Sequence, residues 1–143
     1  MRTRLLMFVL ILVLAAAGLA ACGTSAATAG SSTVTVSLTD ASVTASQATF
    51  TPGARCHFVV TNHGTQPHQF WLMPQNMQHM MSSMPMGQWH QQLLYSSQTI
   101  APGQTVTFDY TFPMMSPQQG LAFGCYTEQG QSVSMMPIRF SGS

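Results

Sequence analysis

The chain is 143 residues long and carries four arginines, three carboxylates and no lysine, for a formal net charge of +1. Charge this sparse and balanced excludes a phosphate-neutralising surface, so nucleic acid is not expected as a partner. Asp40, Asp109 and Glu128 fall on three separate segments, which leaves no carboxylate pair for sugar hydrolysis. No nucleophile and base can be paired from spacing either, so enzymatic turnover is not expected.

Arg2 and Arg4 precede an apolar run from Leu5 to Ala17, long enough for the core of an export signal and short for a membrane-spanning helix. The run ends in Leu19-Ala20-Ala21-Cys22-Gly23, which resembles the bacterial lipoprotein processing box. That motif implies removal of residues 1–21, acylation of Cys22 and an extracytoplasmic, membrane-anchored protein at the cell surface or in the periplasm. Without 1–21, only Arg55 and Arg139 face the three carboxylates, a net charge of −1. Residues 22–32 hold only small side chains and read as a flexible tether to one domain over 33–143.

Thr33 to Leu38 alternates Val34, Val36 and Leu38 with Thr and Ser, the period of a strand with one buried face. Thr49-Phe50 leads into the turn signal Thr51-Pro52-Gly53. Cys56 to Thr61 is a further extended run, and His68 to Met73 another, bounded by Pro67 and Pro74. Residues 74–97 interrupt this pattern with Met, Gln, Ser and His, and within them Gln88 to Tyr95 is expected as a short helix with Trp89 and Leu93 on one side. Gln104 to Phe112 is the clearest strand, with Val106, Phe108, Tyr110 and Phe112 on one face; Leu121 to Tyr126 and Val133 to Phe140 follow as the last two. Short strands and turns at regular spacing, with no strong amphipathic helical repeat, predict an all-β sandwich.

Three places carry chemistry. Asn62-His63-Gly64-Thr65-Gln66-Pro67-His68 ends a strand, turns at glycine and sets a histidine after a proline. Phe123-Gly124-Cys125-Tyr126 puts a thiol at the end of the penultimate strand, and Met135 and Met136 follow ten and eleven residues later. Imidazole, thiolate and thioether are together the donor types that select copper. On these residues the chain resembles the cupredoxins, the blue-copper family that includes plastocyanin, pseudoazurin and the sulfocyanins, over residues 33–140. The resemblance implies a Greek-key β-sandwich, here with a long Met-rich loop inserted, and copper as cofactor. It also implies His68 as the first histidine ligand, Cys125 as the thiolate, and Met135 or Met136 as the axial thioether. Where the family places its second histidine, this chain runs from Cys125 through Glu128 and Gly130 to Gln131, and no histidine follows His90. A plane of two imidazoles and one thiolate cannot be completed from that loop; Gln131 offers an amide oxygen, a weak donor.

Residues 73–86 hold six methionines, Met73, Met77, Met80, Met81, Met84 and Met86, with His79 among them. His79 and Met80 are candidate soft-metal ligands suited to Cu(I), and the same methionines read equally as an adaptable apolar cover or a docking surface. His57 and His63 read as surface residues. Cys56 alternates with Phe58 and Val60 and reads as buried. A disulfide from Cys56 to Cys125 is the ordinary expectation for two cysteines in an oxidising compartment, and it would consume the thiolate. The expected function is that of a lipid-anchored copper-binding protein, either passing single electrons to a redox partner or handing Cu(I) to an accepting protein. The alternative is a metal-free module of the same fold whose Met-rich loop binds a protein partner.

Overall fold

The computed structural model describes residues 31–85, 88, 90–114, 117–118, 120–129 and 131–142. The export signal, Cys22 and the tether over 22–30 lie outside the described residues; Ser32 already opens the first strand. Along the chain run β1 (Ser32–Leu38), β2 (Val43–Ala45), β3 (Thr49–Phe50), β4 (Arg55–Asn62), β5 (His68–Pro74), α1 (Met77–Ser83), a 3₁₀ turn (His90–Gln92), β6 (Tyr95–Ser96), β7 (Thr105–Thr111), β8 (Leu121–Thr127) and β9 (Ser132–Phe140). Among the described residues no helix is long and apolar enough to cross a membrane.

Two sheets form, ordered β2-β1-β4-β7 and β3-β9-β8-β5-β6. The period of two explains why they face each other. Val34, Val36 and Leu38 of β1 are buried, as are Cys56, Phe58 and Val60 of β4, and the parallel pairing of β1 with β4 sets Val34 beside Phe58 and Val36 beside Val60. β7, paired antiparallel to β4, adds Phe108 opposite Phe58, and the two rings stack at 5.1 Å. From the second sheet Phe70 and Phe123 reach the same layer, with centroids 6.3 and 5.7 Å from Phe58. Phe50 and Phe112 close it at 6.4 and 6.3 Å. Phe58 is thus the hub at which rings from both sheets meet. β2 and β6, of three and two residues, are too short for their period to be read from the sequence.

The Met-rich segment departs from its expected form. A helix that was not expected spans Met77–Ser83. Met77 and Met81, four residues apart, turn one helical face onto the outer side of the second sheet, where they pack with Trp71, Met73, Tyr126, Leu93 and Met135. Pro85 ends the helix by holding Met84 in an extended conformation (φ −119, ψ 148). Of the region expected as a helix, Gln88 is helical and Trp89 lies outside the described residues; His90–Gln92 forms a 3₁₀ turn, after which the Leu94 N–H donates to the Leu72 carbonyl at 2.9 Å and β6 joins the edge of β5.

Removing the hub ring leaves a cavity that five aromatic neighbours cannot collapse into. Phe58→Ala is therefore expected to lower stability by about 3–5 kcal/mol. Equilibrium urea unfolding, with the slope unchanged, checks this; a loss below about 1 kcal/mol would contradict the hub role.

Candidate metal site

His68 opens β5 and is buried, at 1% exposure. A prepared turn places it there. The Asn62 side-chain amide donates to the carbonyls of Gln66 and Ile100, both at 2.8 Å, while its oxygen accepts the Gly64 N–H at 2.8 Å. Backbone bonds between His68 and Ile100, at 2.7 and 3.1 Å, fix the start of the strand. Buried Asn62 thus satisfies a turn that would otherwise leave backbone groups unpaired.

Antiparallel pairing of β5 with β8 sets Phe70 opposite Cys125 and His68 opposite Thr127. Residues directly opposite share a face, and so do residues two apart on one strand. His68 and Cys125 therefore stand on the inner face of the sheet as diagonal neighbours, with Cα atoms about 7–8 Å apart. Cys125 is fully buried and its thiol donates to the Thr39 carbonyl at 3.7 Å. Thr39 and Asp40, just past β1 in the opposing sheet, form the far wall.

Asp40 was not among the residues picked out by sequence, and it organises this end of the sandwich. Its carboxylate accepts the Thr65 N–H at 2.8 Å, the Thr65 hydroxyl at 2.7 Å, the Gln66 N–H at 3.1 Å and His68 Nε2–H at 2.9 Å. The Thr65 hydroxyl, its backbone N–H and the His68 ring together hold the carboxyl well below the usual range. Gly64 is required where the loop closes on it, since a Cβ there would collide with the Asp40 carboxylate. The other ring nitrogen, His68 Nδ1, is buried and has no hydrogen-bond partner among the described residues. Burial, reinforced by the negative charge of Asp40, pushes the Cys125 thiol up to about 12, so without a cation it is neutral.

The remaining candidates fall elsewhere. Met136 is opposite Phe123, on the inner face one row beyond Cys125 and on the side away from His68. Met135 is opposite Gly124 and packs with the outer cluster around Trp71 and Tyr126. Gln131 is exposed in the β8–β9 turn, where its carbonyl accepts the Thr127 N–H at 2.9 Å and its N–H donates to the Thr127 hydroxyl at 3.1 Å. His79 is exposed and Met80 half-buried on α1, across the sheet from His68 and Cys125. Met86 lies outside the described residues. Cys56 and Cys125 are free thiols, not a disulfide. Cys56 sits six residues before Asn62 on β4, roughly 20 Å from the His68 end at about 3.3 Å per residue, beyond disulfide reach.

The donor set at this end is one bare imidazole nitrogen, one thiol and the Thr39 carbonyl. Among the described residues no cluster of three or more His, Cys, Asp or Glu side chains could hold a metal ion. These donors do not fit a trigonal centre of two imidazoles and a thiolate. They fit a soft ion of low coordination number.

In a chain lacking residues 1–21 and carrying Cys22→Ser, neither thiol should react with an aromatic disulfide reagent at neutral pH until the protein is unfolded. A thiol held neutral gives stability that is complete below the ordinary value of 9.0 and is lost as pH rises toward about 12. The urea midpoint should accordingly fall across that window by more in this chain than in its Cys125→Ser derivative; equal falls would count against the buried neutral thiol.

No protein-family profile matches the chain, and no curated protein matches it. Solved structures do. The azurin Az-iso2 from the obligate methylotroph Methylomonas sp. strain J aligns with a TM-score of 0.56 at 11% identity, covering 78% of this chain and 99% of that one. Auracyanin A, a "blue" copper protein from Chloroflexus aurantiacus, aligns at 0.55 and 13%, covering 77% and 99%. Dithionite-reduced auracyanin from Roseiflexus castenholzii aligns at 0.53 and 15%, covering 76% and 98%. Identities this low speak to architecture and not to a shared site. Two facing β-sheets with this strand order, matched over more than three quarters of the chain, give this protein the cupredoxin fold.

Proposed function

We propose that this protein is an extracytoplasmic, lipid-anchored Cu(I)-binding protein that takes the ion as cargo between His68 Nδ1 and Cys125 Sγ. The observation that carries this reading is the buried His68 Nδ1, with no hydrogen-bond partner among the described residues, on the sheet face where the buried free thiol of Cys125 is its diagonal neighbour. A buried polar atom without a partner costs free energy that folded proteins ordinarily avoid, and its persistence beside a soft donor points to an absent ligand.

The residues favour the lower oxidation state. Cu(I) accepts two or three soft donors and supplies an electrophile for thiolate and imidazole. Binding requires Cys125 to lose its proton, and a monovalent cation on one thiolate leaves no net charge in the apolar end of the sandwich. A divalent ion would leave one uncompensated positive charge there, set only against Asp40. Asp40, partly exposed and negative, also favours a cation at the mouth of the site. Cys22 would hold the domain at a membrane surface, from which the ion is passed to an accepting protein.

Anaerobic titration against a chromophoric Cu(I) chelator tests this. One equivalent should bind, and Cys125→Ser should weaken binding by more than about 100-fold, exceeding what outer-sphere partners cost. Replacing Met77, Met80 and Met81 by leucine should leave that equivalent in place. Failure to compete for Cu(I) at all would favour a metal-free module of this fold. An intense thiolate-to-copper absorption in the oxidised protein would instead favour a one-electron carrier.

A further inference from the structure

We infer that Asp40 is a positioning residue that locks His68 in a single tautomer, with the proton on Nε2 and a bare lone pair on the buried Nδ1, on the sheet face that also carries Cys125. An ionised carboxylate only accepts hydrogen bonds, so the 2.9 Å contact to His68 requires the proton on Nε2. In the neutral ring Nδ1 is then bare, and it is this atom that lies buried without a partner. A ring with one nitrogen fixed by a carboxylate and the other left open is the arrangement that prepares an imidazole as a metal ligand.

The carboxylate is a fixed reference rather than a follower of the ring. Three of its donors come from Thr65 and Gln66, not from His68. That segment is itself pinned by the Asn62 amide on the Gln66 carbonyl. Nothing larger than glycine fits at position 64 against the carboxylate. Asp40 therefore holds its place if the ring turns, and turning the ring would sacrifice a charge-assisted hydrogen bond. The link from β1 through Asp40 to β5 also ties the two sheets together at the end where Cys125 sits.

The tautomer assignment stands on hydrogen-bond geometry alone; its consequence for metal affinity rests on the Cu(I) reading above. Long-range ¹⁵N–¹H NMR of the metal-free protein reads the tautomer directly. His68 should show a protonated Nε2 and a bare Nδ1, and Asp40→Leu should convert this to a mixture. In that variant Cu(I) affinity should fall by about 10–100-fold. Thr65→Val, which removes one tie to the carboxylate and leaves the carboxylate itself, should keep the wild-type pattern. Should Asp40→Leu not fold, Asp40→Asn serves: its neutral oxygen is a weaker acceptor, and the Nε2-bound proton should move upfield. A wild-type His68 protonated on Nδ1, a pure Nε2 tautomer surviving in Asp40→Leu, or an unmoved proton in Asp40→Asn would overturn the inference. If the tautomer is as stated and Cu(I) does not bind, the functional reading fails and the positioning role stands. If Cu(I) binds and the tautomer differs, the reverse holds.

Discussion

The pairing of β5 with β8 is the constraint on which the site depends. With Phe70 opposite Cys125, His68 and Cys125 share the inner face of one sheet. A slip of one residue would send one of them to the outer side while leaving the other in place. The register is held by large side chains that tolerate no such slip. Phe70, Leu72 and Phe123 enter the aromatic layer on one face, while Trp71 and Tyr126 stack at 3.8 Å on the other. Gly124 leaves the room for that outer packing, since a Cβ there would collide with Met73 and Tyr126. Core packing on both faces therefore sets the geometry of the donors.

Electrostatics in this chain are concentrated by scarcity. Of three carboxylates, Asp109 pairs with Arg55 and His57 at 3.0 and 2.9 Å on the exposed side of β4 and β7. Exposed pairs of this kind contribute little to stability. Asp40 differs because its charge is satisfied by a loop, a hydroxyl and a buried ring, and because it faces a buried thiol. One carboxylate thus orients the His68 ring and disfavours an unpaired thiolate at Cys125.

The methionines divide according to the face of the sheet they meet. Met73, Met77 and Met81 cover Trp71 and Tyr126, and the Tyr126 hydroxyl donates to the Met73 sulfur at 3.4 Å and the Met81 sulfur at 3.9 Å. A flexible thioether suits this task, since it fills irregular space and accepts a weak hydrogen bond from a buried hydroxyl. The segment therefore serves the fold on one side of α1, and leaves His79 exposed and Met80 half-buried on the other.

Period-two alternation made the principal strands legible, because a strand that buries one face must show that face at every second residue. The Asn62 to His68 turn and Cys125 were legible for a related reason: few residue types do their chemistry. β2 and β6, of three and two residues, were not, being too short to repeat that alternation. The helix at Met77–Ser83 was masked by methionine, which marks no preferred neighbour until a face is available to cover. Asp40 stood twenty-eight residues from His68 in the chain, with nothing around it to announce a partner. The amino-acid sequence by itself determined the sandwich and picked out two candidate donors, since burial and donor chemistry are local properties of side chains. Only the tertiary structure decided that the thiols remain apart, that the paired methionines face opposite ways, and that a carboxylate from the other sheet meets the histidine. Those outcomes depend on how two sheets stack, a relation that no stretch of neighbouring residues encodes.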